Sequence, residues 1–206
     1  MFISLEGIDG SGKSTQARML ADALRAEGRE VVLTREPGGS PGAEEIRRLL
    51  VDGRADRWSA ETELLLFTAA RRDHVERTVR PALDRGAWVV TDRFADSTRV
   101  YQGATRGDLR DRVDALHRLM IGVEPDRTLV IDLDPAEALA RTTRRHAAPA
   151  TAAPSAEDRF EAMGLPFQTR LRAGFAALAA AHPDRIRLID GRGSAEDVAA
   201  RVRAAL

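Results

Sequence analysis

The sequence predicts an α/β fold in three layers, a parallel sheet with helices on both faces, and three observations carry that expectation. Short β-rich runs alternate with long stretches of helical period along the whole chain. The runs are apolar throughout rather than alternating, as in strands buried on both faces. Strand–helix alternation with right-handed crossovers then lays successive strands parallel. The runs are Phe2–Leu5, Val31–Thr34, Ala87–Thr91, Thr128–Leu133 and Ile186–Ile189, which gives five strands. Helical patterns fill Ser14–Glu27 and Glu61–Val79, and a last helix starts at Ala195 behind Ser194 as N-cap.

The 206 residues are enough for one domain with a sizeable core and short for two, so a single domain over 1–206 is expected. Thirty-two basic residues balance 32 acidic ones, a net charge of +0, which argues against a dedicated nucleic-acid binder or a polybasic membrane protein. The chain has no cysteine, so disulfides and thiolate metal sites are excluded. It shows no basic segment ahead of a signal-like apolar core and no apolar span fit to cross a bilayer, and a cytoplasmic protein is the expectation.

One segment departs from the alternation. "RTTRRHAAPATAAPSAEDR", Arg141 to Arg159, is Ala/Pro-rich in its middle and lacks apolar period. It reads either as a flexible surface loop or, because basic residues flank it, as a mobile lid over 141–159.

Gly7-Ile8-Asp9-Gly10-Ser11-Gly12-Lys13-Ser14 fits G-x-x-x-x-G-K-[ST] in full, between the first strand and the first helix. Glycines let backbone N–H groups turn toward phosphates, and the helix N-terminus adds positive potential. Gly7 to Thr15 are therefore the expected ATP-binding stretch, with Lys13 at the β- and γ-phosphates and Ser14 on Mg²⁺. Lys13 is the one lysine among the 32 basic residues; arginine supplies the charge elsewhere. A compact ammonium among phosphate oxygens is a different requirement from a planar fork. Asp9 is the anomaly, a carboxylate inside an anion cradle.

A phosphate loop alone means NTP binding. The acceptor side narrows it. "TREPGGSPGAEEIRR" and "TDRFADSTRVYQG" follow the second and third strands, at the sheet edge where ligands bind in open α/β folds. Phe67 and Arg71 lie four apart on a helix, an aromatic face with a guanidinium beside it, suited to a base and its 5′-phosphate. Asp92 and Arg93 close the third strand, Asp92 placed to support the metal and Arg93 to grip phosphate. Ser97 and Tyr101, again four apart, share a face if that stretch is helical.

"GIDGSGKST", "TREPGG", "FTAARR", "DRFADSTRVYQG" and "EDRFE" occur in the order, and over nearly the whole length, of the bacterial thymidylate kinases, and the chain resembles that family. The resemblance implies a P-loop NTPase fold with a five-stranded parallel sheet, transfer of the γ-phosphoryl group of ATP to dTMP with Mg²⁺, and a homodimer. It places Arg71 and Arg93 at the acceptor phosphate, Phe67 on the thymine ring, and Ser97, Tyr101 and Gln102 around the nucleoside. Glu36 and Arg47 match acceptor-side positions. Arg141 and Arg145 match lid arginines; some members carry an arginine in the phosphate loop, where this chain has Gly10, so the lid is expected to supply that charge. On this reading Lys13, Asp9, Arg93, Arg141 and Arg145 are the catalytic set. Asp9 points toward the acceptor sugar, where a carboxylate accepts from the 3′-OH; the alternative is an Asp that stabilises its own turn. Rival functions are a kinase for another nucleotide and a P-loop switch or assembly ATPase.

Overall fold

The computed structural model describes residues 1–51, 57–104, 108–146 and 163–206, without the side chains of Ala104, Arg145 and His146. Five parallel strands, β1 (Phe2–Glu6), β2 (Val31–Arg35), β3 (Trp88–Asp92), β4 (Arg127–Asp132) and β5 (Ile186–Asp190), form one sheet in the order β2-β3-β1-β4-β5. All five expected strands are present, within a residue or two at each end. β1 is central and buried along its whole length, as its unbroken apolar run requires. The outer strands differ from the expectation of burial on both faces. β2 is only half-buried, and β5 exposes Arg187 and Leu188, because an edge strand has a neighbour on one side only.

The chain leaves β1 toward one side of the sheet and later returns to the other, so the crevice at the carboxyl end of β1 is a switch point where loops diverge. The first helix, α1 (Lys13–Ala26), starts there directly from the loop after β1. Its Ala17, Leu20 and Leu24 pack on Ile3, Leu5, Val90 and Ile131 of the sheet. Helices α2 (Pro41–Val51), α3 (Ala60–His74), a short α4 (Arg80–Asp84), α5 (Ala95–Thr98), α6 (Arg110–Leu116), α7 (Pro135–His146), α8 (Gly164–Ala181) and α9 (Ala195–Ala204) complete the described layers. On the other face Val130 and Ile186 meet Leu171 and Phe175 of α8, and Phe2 meets Phe94 edge-on, ring centroids 4.9 Å apart.

Two helical expectations are modified. The periodic stretch Glu61–Val79 is α3 followed by a wider π-type turn over Val75–Val79, and Pro81, which has no N–H to extend the regular ladder, sits in the first turn of α4. The segment from Arg141 begins as the end of α7 rather than as a loop; 147–159, the rest of the expected lid, lies outside the described residues. No helix among the described residues is long and apolar enough to cross a membrane.

α9 begins as expected. Asp197 N–H donates to Ser194 Oγ at 3.1 Å and Ser194 N–H to Asp197 Oδ2 at 3.0 Å, a reciprocal cap. Ser194→Ala is expected to lower stability by about 1 kcal/mol, seen in urea unfolding as a lower midpoint at unchanged slope.

Candidate active site

The loop after β1 wraps against α7. A Cβ on Gly10, at φ 78°, would stand 2.2 Å from the Ala138 carbonyl oxygen and 2.8 Å from Thr142 Cγ2. Only glycine leaves room for that contact. The loop therefore faces a cavity lined by Gly10, Gly12, Lys13, Ser14, Thr15 and, from α7, Arg141 and Thr142. Arg141 bonds Glu137 at 2.7 Å and reaches the Gly191 carbonyl at 3.5 Å. The side chain of Arg145 lies outside the described residues. Ile8 turns its side chain into the core, and its carbonyl accepts from Lys13 Nζ at 2.9 Å. Ser11 Oγ is buried with no partner among the described residues.

Asp9 does not bond its own turn. It forms an ion pair with Arg93 Nη2 and accepts from Tyr101 OH at 3.1 Å and from Gln168 Nε2 of α8 at 3.4 Å. Lys13 Nζ stands 3.9 Å from the same carboxylate. Lys13 and Arg93 thus both approach the Asp9 carboxylate. Arg93 Nη1 donates to Ser97 Oγ at 2.9 Å and toward the Gly7 carbonyl at 3.4 Å. Ser97 and Tyr101, expected to share a face, both bond Arg93.

A second buried cluster lies further along the cavity. Glu36 takes Arg71 Nε on one oxygen at 2.7 Å and His74 Nδ1 on the other at 2.8 Å. Burial pushes its carboxyl up, but Arg71 and His74 together outweigh this and hold it below the ordinary carboxylate value. Arg71 also donates to Thr98 Oγ1 at 2.9 Å and to the Phe94 carbonyl at 3.2 Å. Its charge is matched by Glu36, and it makes no bond to the phosphate loop among the described residues.

One cavity gathers Asp9, Glu36, Phe67, Arg71, Arg93, Ser97, Tyr101 and Gln102, with Pro37, Phe94 and Thr98. Of the expected acceptor-side residues only Arg47 is outside its lining. Arg47 donates to the Pro37 carbonyl at 2.6 Å and so braces the loop that carries Glu36. Ser14 and Asp92 line a neighbouring cavity, where Asp92 Oδ1 is buried without a hydrogen bond. No cluster of three or more His, Cys, Asp or Glu is found among the described residues. One hydroxyl and one free carboxylate oxygen fit Mg²⁺, which keeps waters and takes phosphate oxygens rather than an all-protein cage.

Four partners escape the sequence reading: Glu6, Glu63, His74 and Gln168. Glu6 ends β1 and is fully buried, and the rule that marked Asp92, an acid at a strand's carboxyl end, applies to it equally. His74 is three residues from Arg71 on the same helix face. Glu63 accepts from Gln102 Nε2 at 3.4 Å. Neither Glu63 nor Gln168 carries a motif that marks it.

A sequence profile described as thymidylate kinase matches residues 5–202. The chain belongs to the thymidylate kinase family. It is 67% identical over 204 residues to the thymidylate kinase of Dinoroseobacter shibae, covering 99% of this chain and 95% of that one. It is 50% identical over 206 residues to that of Rhizorhabdus wittichii, covering 100% and 96%. The crystal structure of thymidylate kinase from Ehrlichia chaffeensis superposes with a TM-score of 0.76 at 36% identity, over 99% of this chain and 97% of that one. The family's three-layer P-loop fold is the one built here.

Glu6 also sets a pH dependence. Burial, and then Asp96, push its carboxyl up to about 7 from 4.5, against the Ser97 hydroxyl, Arg93 and the Phe94 amide, which favour the ionised form. A carboxyl raised in the folded state binds more protons there than in the unfolded chain. Its contribution is complete below about pH 4.5 and fades as pH rises through 7. The loss is expected to be on the order of 3 kcal/mol, and Glu6→Gln should flatten that slope in unfolding measurements at pH 5 to 8.

Proposed function

We propose that the chain transfers the γ-phosphoryl group of ATP to the phosphate of dTMP, giving dTDP and ADP. The observation that carries this reading is the Asp9–Arg93 junction. The donor-side phosphate loop and the enclosed acceptor cavity meet there, with Lys13 on one side and Arg93 on the other. A switch or assembly ATPase has no use for a second enclosed pocket ending at its phosphate loop.

The geometry suggests a division of labour. Lys13 and the loop amides hold the β- and γ-phosphates of ATP, Arg141 closes on them from α7, and Arg145 is its neighbour on that helix. Arg93, which lines the acceptor cavity where it meets the phosphate loop, takes the acceptor phosphate. Arg71 was expected at that phosphate as well. Its matched charge and its place away from the loop favour donation to a base carbonyl, beside the Phe67 ring and the Gln102 amide. Asp9 orients Arg93 and offers an acceptor to the sugar 3′-OH. Ser14 and Asp92 would hold Mg²⁺, which supplies charge neutralisation on the phosphate oxygens. The protein has little covalent chemistry to do; positioning and electrostatic stabilisation of the moving group supply the rate. ATP as donor fits a cytoplasmic site.

The homodimer finds support in an apolar surface. Leu65 of α3 and Leu119 and Met120 of the turn after α6 are 58%, 73% and 48% exposed. Arg72 of α3 donates to the Met120 carbonyl at 2.6 Å and ties the two elements together. Two such faces are self-complementary across a two-fold axis.

Two experiments test the reading. ADP release is measured with each nucleoside monophosphate in turn, and dTMP is expected to exceed every other acceptor; acceptor-independent turnover would mean an ATPase, and preference for another monophosphate would move the substrate. Lys13→Arg keeps the charge on a wider, planar head. The ammonium is buried against the Ile8 carbonyl, a point contact that a planar fork does not reproduce. Transfer is expected to fall at least a hundredfold, about 3 kcal/mol in the barrier, in a folded protein; near-normal turnover would remove Lys13 from the chemistry.

A further inference from the structure

Arg93 is one of two non-glycine residues with positive φ among the described residues, at 72°. An L-residue with a long side chain holds that conformation only where its surroundings fix it. Here three bonds do. Arg93 N–H donates to the Leu5 carbonyl at 3.0 Å, Thr91 Oγ1 donates to the Arg93 carbonyl at 2.9 Å, and the Phe94 N–H donates to Glu6 Oε1 at 2.7 Å. The first two belong to the end of the sheet. The third comes from a side chain with no other reason to be charged at that place.

The second Glu6 oxygen reaches the other end of the same arginine. Ser97 Oγ donates to Glu6 Oε2 at 2.5 Å, so its proton is committed and its lone pairs face Arg93 Nη1, which donates to it at 2.9 Å. Ser4 Oγ donates to Glu6 Oε1 at 3.0 Å. The Phe94 N–H can only donate and both serine hydroxyls can donate, so every polar neighbour of Glu6 can serve an ionised carboxylate.

We propose that Glu6 is a positioning residue for phosphoryl transfer: its carboxylate clamps the Phe94 amide and the Ser97 hydroxyl together and so fixes both the left-handed backbone and the guanidinium of Arg93 against Asp9. This rests on the reading of Arg93 as the acceptor-phosphate residue. The isosteric amide shows why a carboxylate is required. In Glu6→Gln one oxygen still serves Phe94 and Ser4. The amide nitrogen then donates to Ser97, whose oxygen can accept from it and from Arg93 together, but the serine proton must turn away and its charge-assisted bond is lost. The volume is kept while the hold on Ser97, and through it on Arg93, weakens. Burial also raises the Glu6 carboxyl, so the fold bears a charge that it would hold more cheaply as an amide, a pattern found where function opposes stability.

The test is Glu6→Gln, alone and in an Arg93→Ala background. In the otherwise native protein kcat/KM for dTMP is expected to fall tenfold or more, ATP affinity to stay within twofold, and stability at pH 8 to equal or exceed that of the parent. In the Arg93→Ala background the same change is expected to cost less than twofold, because its route runs through Arg93. Unchanged kcat/KM in the single variant overturns the proposal. So does an equal loss for both substrates, or a tenfold loss that persists without Arg93. Ser97→Ala cuts one arm of the clamp and is expected to reproduce a loss confined to dTMP should Glu6→Gln fold poorly; full activity there overturns the side-chain arm. Absence of dTMP turnover in the parent protein would sink the proposed function and leave the clamp open to a crystal structure of Glu6→Gln. That structure is expected to show Ser97 shifted and its contact with Arg93 lengthened, and unchanged geometry would overturn the clamp.

Discussion

The ion pair between Asp9 and Arg93 is the constraint on which the rest of the site depends. It joins the loop after β1 to the loop after β3, two neighbouring strands of the sheet whose carboxyl ends open on the same crevice. Taking two charges out of water is costly, and a buried pair is weak evidence of stability for its own sake. The pair persists because each partner is satisfied several times over, Asp9 by Tyr101 and Gln168, Arg93 by Ser97 and the Gly7 carbonyl. Lys13 stands beside the same carboxylate, so the pair sets two cationic side chains where the phosphate loop meets the acceptor cavity.

The second pair, Glu36 with Arg71, is closed where the first is open. Both carboxylate oxygens are used, by Arg71 and His74, and His74 in turn shares a bond with Thr34 Oγ1 at 2.8 Å. Buried polar networks of this kind fix one arrangement of their elements when fully satisfied. Here the arrangement locks α3 to the loop after β2, and so sets the far wall of the acceptor cavity against its phosphate end.

The sequence showed the ends of this site better than its interior. Lys13, Ser14 and the glycines stand in a motif whose spacing is dictated by backbone contact with phosphate, and local geometry alone made them legible. Phe67, Arg71, Ser97 and Tyr101 were legible as helical neighbours, since residues four apart share a face. Glu6, His74, Glu63 and Gln168 were not, because each acts on a residue far away in the chain. Gln168 meets Asp9 across 159 positions, and nothing in an Ala-rich helix marks it. Arg71 shows the opposite limit: its presence in the pocket was legible, but its matched charge was not, because the match is made by Glu36, 35 residues earlier.

The α/β class, the five strands and the phosphate loop are legible in the residues alone, because continuous apolar runs, helical period and glycine-rich turns are local properties. The sequence also placed the acceptor stretches at one edge, since strands joined by right-handed crossovers point their carboxyl ends the same way. Only the tertiary structure decided the strand order, the exposure of the outer strands, the interruption after α3, and which acid pairs with which arginine. Pairing is a question of distance across the sheet edge. Thirty-two acids and 32 bases allow far too many combinations for spacing to choose among. The answer to the carboxylate in the anion cradle is of that kind: Asp9 belongs to Arg93, 84 residues away, and its place in the loop becomes intelligible only once β1 and β3 lie side by side.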